Sequence, residues 1–148
     1  MSTVILTGLL ELHAASTLML AGLIWTIQLV HYPLFAQVGA DAFPAYQQQH
    51  ARRITWLVGP LMAAEAGAAV ALFLLLDGPR LRLLAALGLL LVILIWVSTA
   101  LLQVPCHARL RRGFDPRAWR RLVGTNWIRT VAWSVRGVLA LLLCRLAN

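Results

Sequence analysis

Residues Leu81–Val104 read LRLLAALGLLLVILIWVSTALLQV, 24 positions whose only charge is Arg82. About 20 consecutive apolar residues are enough to cross a bilayer, so this run decides the fold class. Working outward, three more windows meet the same condition: Val4–Val30, Ile54–Leu76 and Trp127–Leu146. Pro33 and Pro105 close the first and third, and Asp77-Gly-Pro-Arg80 makes a tight turn between the second and third. Pro60 falls inside the second, where a kink is expected. The expectation is one all-α membrane domain over residues 1–148: a four-span bundle of two hairpins, with short amphipathic interfacial helices in the loops.

Composition agrees. Of 148 residues 61% are apolar, mean hydropathy is +0.80 and only 12% are charged. The net charge of +8 comes from 13 Arg against 5 acids. Because these Arg border apolar runs, anionic lipid headgroups explain them better than nucleic acid, which is excluded as a partner. The first segment lacks a basic start and a cleavage pattern, and reads as a span rather than a leader. Cys106 and Cys144 lie at opposite ends of the last hairpin, too far apart for a disulfide.

Seven Arg fall in Gln103–Thr130, QVPCHARLRRGFDPRAWRRLVGTNWIRT, and Arg52 and Arg53 in the first loop. The positive-inside rule places both long loops in the cytoplasm and both termini outside, in a bacterial plasma membrane. Trp56, Trp119 and Trp127 suit the same interface.

The halves also resemble each other. Trp25, Gln28, His31, Pro33, Asp41, His50 and Arg53 have counterparts in Trp96, Gln103, Pro105, His107, Asp115, Asn126 and Arg129. Each half is a span, a Gln/Pro/His exit, a Gly-x-Asp turn, an amphipathic helix and a polar-x-x-Arg re-entry. Asp41 and Asp115 are expected N-caps, with Pro116 at the first helical position. Such an arrangement is a parallel internal repeat.

At about 100° per residue each span carries one polar stripe. Trp96, Thr99, Gln103 and His107 share a side of the third span, and Asn126, Arg129, Trp133 and Arg136 a side of the fourth. Lipid penalises polar atoms, so these stripes are expected to face inward. Gln28, His31, His50, Arg53, Gln103, His107, Asn126 and Arg129 then gather near the cytoplasmic boundary. Glu65 and Arg136, both at mid-span, are expected to form a structural ion pair. Glu11 and His13 point apart and make a poor shared ligand set.

Within the gathering, His107 is the candidate base, Arg129 the oxyanion stabiliser and Asn126 their partner. Gln28, His31, His50, Arg53 and Gln103 are candidate ligand-binding residues. No single element has metal-binding spacing, and a metal, if held, would take His31, His50 and His107. No motif names a cofactor. The stretch from Arg117 through Asn126-Trp127-Ile128-Arg129-Thr130 resembles the last-span region of anthrone-oxygenase-like small four-span membrane proteins, specifically at Trp119, Asn126 and Arg129. That resemblance implies a membrane oxidoreductase or oxygenase acting on an apolar aromatic or quinone-like molecule. The competing expectation is a non-catalytic membrane subunit, its polar groups binding helices together or to a partner. A homo-oligomer is compatible with both, and transport, which would need a dimer, comes third.

Overall fold

The structure is a computed structural model that describes residues 3–147. Four helical rods account for nearly all of it: α1 (Val4–Gln37), α2 (Phe43–Leu75), α3 (Pro79–Leu110) and α4 (Pro116–Ala147). Each rod packs on its chain neighbours, and α4 closes the ring on α1. The protein is an all-α, four-span integral membrane bundle. Outward apolar side chains mark its lipid belt, from Val4 to Leu34, Trp56 to Leu75, Leu83 to Val104 and Trp127 to Leu146.

Rods of 32 to 34 residues are roughly 50 Å long, against ~30 Å of hydrocarbon. The excess lies at the end bearing the 38–42 and 111–115 connections. Here the structure differs from expectation. The amphipathic loop segments are not separate interfacial helices but the opening turns of α2 and α4. The reason is burial: Phe43, Ala118 and Leu122 pack with Phe35, Cys106 and Leu110 in one core. Their apolar faces are satisfied by protein and need not lie flat on lipid.

The expected caps divide. Asp115 Oδ1 accepts from the Arg117 and Ala118 N–H groups at 2.8 and 3.2 Å, while Oδ2 pairs with Arg109 Nε at 2.6 Å. Those backbone donors, helped by Arg109, hold its carboxyl below the usual carboxylate range. Asp41 does not cap α2. Its third residue onward is Pro44, which has no N–H, and the Gly39 carbonyl already takes the Ala42 and Phe43 N–H groups at 3.1 and 3.0 Å. Between α2 and α3, Gly78 at φ +90° reverses the chain in a conformation side chains avoid.

Two wide turns interrupt the rods. Ile27–His31 in α1 and Thr99–Gln103 in α3 are π-helical, with the Tyr32 and Val104 N–H groups reaching back five residues to Ile27 and Thr99. Each precedes a proline by two residues, Pro33 and Pro105. A proline ring presses on the carbonyl four residues back and offers it no hydrogen, and widening the turn relieves both faults. By contrast, α2 continues through Pro60 as one helix.

Candidate functional site

Polar side chains gather at two depths. At mid-span, Glu65 Oε1 accepts from Arg136 Nε at 2.7 Å and from Trp133 Nε1 at 3.1 Å, and Glu65 and Arg136 are both about 1% exposed. Arg136 also donates to the Gly88 carbonyl and, at 3.2 Å, to His13 Nε2. Arginine only donates, so His13 accepts there and carries its proton on Nδ1. One guanidinium thus ties α4 to the other three helices. His13 was not expected in this role. Its distance from Arg136 in sequence gives no signal. A void beside Arg136 has about 10 Å³, room for roughly one water.

Higher up, three amides join helices. Gln28 Oε1 accepts from Asn126 Nδ2 at 2.7 Å while its Nε2 donates to the Val123 carbonyl at 3.2 Å. Gln103 accepts from Ser98 and donates to Thr125 Oγ1, at 3.1 and 3.2 Å. Gln28 and Asn126 lie under the α1–α4 seam and do not reach the cavities described next.

The boundary cluster is different. A groove of about 280 Å³ runs between α2 and α3, walled by Ile54, Val58, Met62, Trp96 and Thr99. Its polar end holds Tyr32, Gln103, His107 and Arg129. Trp96 and Val104, about half exposed, sit among the lipid-facing residues at its mouth. The whole expected stripe of α3 (Trp96, Thr99, Gln103, His107) lines this one groove.

His107 is held from both sides. Gln47 Nε2 lies 2.7 Å from its Nδ1, and the Tyr32 hydroxyl 3.1 Å from its Nε2. With the amide nitrogen donating, Nε2 carries the proton and gives it to Tyr32. The Gln47 carbonyl oxygen is buried and unpartnered. Turned over, that oxygen accepts from Nδ1–H and frees Nε2 to accept the phenolic proton. The Gln47–His107–Tyr32 chain therefore accommodates either imidazole tautomer, according to which way the amide faces. Tyr32 itself is 3% exposed, and the Trp119 indole N–H donates to its carbonyl at 2.8 Å. Neither Tyr32 nor Gln47 was expected in the site. Tyr32 adjoins a π-turn, and only coordinates reveal that turn.

Arg129 stands opposite Tyr32, 6% exposed, its guanidinium carbon 5.3 Å from the Trp133 ring centre and its Nε unpartnered. Among the described residues the ion pairs are Arg82–Asp77, Arg109–Asp115 and Arg136–Glu65. Arg129 has no carboxylate. A lone charge costs on the order of 2.5–3.5 kcal/mol at the centre of a membrane helix even by the lenient insertion scale, and less toward the boundary where Arg129 lies.

His31 and His50 do not join this groove. His31 Nε2 and His50 Nδ1 are 2.7 Å apart, one donating to the other, and edge-on contacts with Phe35 hold both rings. They line a neighbouring open cleft of about 320 Å³ with Tyr46 and the exposed Arg53. The His50 and His107 ring centres are 5.5 Å apart, so the three imidazoles are close. Among the described residues no three His, Cys, Asp or Glu are arranged to hold an ion. The nitrogens of His107 are engaged by Gln47 and Tyr32, and His31 and His50 face each other.

Comparison of the chain with protein-family models, curated proteins and solved structures gives no match.

Proposed function

We propose that the protein binds a lipid-soluble molecule with a phenolic or quinone-like head in the α2–α3 groove and acts on it as a membrane oxidoreductase or oxygenase. One observation carries this reading. Among the described residues Arg129 is a buried cation without a carboxylate partner, facing a cavity that also holds the hydrogen-bonded Tyr32–His107 pair. An oxygen that becomes negative as it loses a proton supplies the missing charge. His107, through Tyr32, takes the proton of the ligand hydroxyl, and Arg129 holds the oxyanion. Ile54, Val58, Met62 and Trp96 receive the apolar body, which enters sideways from the lipid. His31, His50 and Arg53 line the polar approach. Asn126 positions the α1–α4 seam and makes no contact with ligand. The resemblance to anthrone-oxygenase-like proteins at Trp119, Asn126 and Arg129 points to the same class of substrate.

In the same reading, both termini are outside and the Arg-rich connections lie in the cytoplasm of a bacterial cell. The two hairpins are a parallel repeat. Three features recur 72 positions apart: the π-turns at Ile27 and Thr99, Pro33 and Pro105, and Pro44 and Pro116. The bonded amides Gln28, Asn126 and Gln103 favour a second reading, a non-catalytic subunit whose polar groups only join helices.

Titration of the detergent-solubilised protein with a short-chain quinol, read by fluorescence of the groove residue Trp96 among the six Trp, separates the two. Saturable quenching that weakens ten- to hundredfold in Arg129→Gln, with no loss of melting temperature, is expected. Equal binding of an alkane of matching length, or of a fatty acid, removes the phenolic head from the proposal. No saturable binding leaves the subunit reading.

A further inference from the structure

A separate cleft of about 240 Å³ lies where α3 ends and α4 begins. Pro105, Cys106 and Arg109 line it from α3, and Arg117, Ala118 and Arg121 from α4. Arg117 and Arg121 are four residues apart and share a helix face. Arg109 reaches across from the facing helix, steadied by Asp115 at 2.6 Å. Three guanidiniums therefore line the cleft, and the carboxylate beside it, Asp115, is already engaged: its Oδ1 is taken by backbone N–H groups and its Oδ2 by Arg109. The floor, Cys106 and Ala118, is small and about 5% exposed. The cleft lies beyond Val104, the last outward apolar residue of α3, and before Trp127, the first of α4. That is the level at which lipid phosphates lie.

We infer that this cleft binds a phosphate group, presented by a lipid headgroup or free in solution. Forked guanidinium donors match the oxygens of phosphate, the anionic group that phospholipids carry at this depth. Two positive charges remain after Asp115 is counted, enough for one phosphodiester and its surroundings. The floor of Pro105, Cys106 and Ala118 offers no competing hydrogen bonds and leaves room for glycerol carbons. The inference is independent of the groove and of any ligand there.

Cys106 makes the cleft testable. In a Cys144→Ala protein it is the one remaining thiol, and its reaction with a small uncharged maleimide reports occupancy. In vesicles containing phosphatidylglycerol, labelling is expected to run several-fold slower than in phosphatidylcholine alone, whose phosphate is already neutralised by its own choline cation. Slowing by inorganic phosphate in the phosphatidylcholine vesicles identifies a free anion as the occupant; slowing only with phosphatidylglycerol identifies the headgroup. Arg117→Gln/Arg121→Gln, which leaves the Arg109–Asp115 pair intact, should restore fast labelling. Because Cys106 is nearly buried, phosphatidylglycerol retained through detergent washing provides a second count. The parent should retain it and the double variant lose it. Equal labelling under every condition, or retention unchanged by the double substitution, overturns the inference.

Discussion

The knot around Arg136 and the cluster around Arg129 are one helical segment apart on α4, yet they differ in what surrounds the charge. Arg136 meets Glu65, His13 and the Gly88 carbonyl, with a void of about 10 Å³ beside it. Arg129 meets a ring face, a phenol and a groove of about 280 Å³. Both guanidiniums are buried. The first is neutralised by the fold, and the second meets no carboxylate among the described residues. Burial of a charge does not by itself tell structure from function in a membrane bundle; the presence of a counter-charge and of empty space beside it does.

That contrast can be broken by substitution. The largest effect is expected from Arg136→Gln, which leaves Glu65 buried and unpaired and should cost roughly 3–5 kcal/mol. Unfolding in mixed detergent micelles measures it, and Glu65→Gln/Arg136→Gln should lose less than the two single losses added. Strict additivity would deny that the knot acts as a unit. Next come Arg129→Gln and Tyr32→Phe, each removing a bond to a charged or ionising oxygen worth about 1.5–3 kcal/mol. These should appear as a ten- to hundredfold weaker grip on a quinol, with a loss of melting temperature well below that of Arg136→Gln. A loss of stability matching that of Arg136→Gln would make the two regions alike.

Gln28→Ala tests the amides between them. Interhelical bonds of this kind average about 0.6 kcal/mol and reach about 1.7, so a small fall in stability with unchanged quinol binding is expected. Altered binding would bring the α1–α4 seam into the site. The smallest effect belongs to Asp115→Asn. Its carboxyl is held below the usual range, so the folded state gains from the charged form above the unfolded-state value and loses that gain as pH falls through the folded one. Amide exchange at Arg117 and Ala118 should be faster in the variant near neutral pH, and the two proteins should converge in acid.

Much of the site was legible as one-dimensional pattern. The stripe Trp96, Thr99, Gln103 and His107 lines the groove because all four lie on one side of a single rod, and lipid tolerates none of the polar three outside. Glu65 and Arg136 meet because two opposite charges at one depth have few alternatives. Tyr32, Gln47 and His13 escaped for a different reason. A tyrosine after a π-turn, a glutamine in a polar run and a histidine in the other hairpin acquire roles only from their neighbours across the bundle. Asp41 misled because its cap depends on which following residue has an N–H to give, and Pro44 has none.

The sequence alone determined that the chain crosses the membrane four times and is wholly helical. Apolar length and the demand that backbone groups bond within each span leave no other solution. Only the tertiary structure decided which polar groups neutralise each other and which remain open. Pairing depends on ångström distances between helices far apart in the chain, and hydropathy does not encode them. A buried arginine is locked to a carboxylate at Arg136 and faces a groove at Arg129, two turns earlier on α4, according to what its neighbours place opposite.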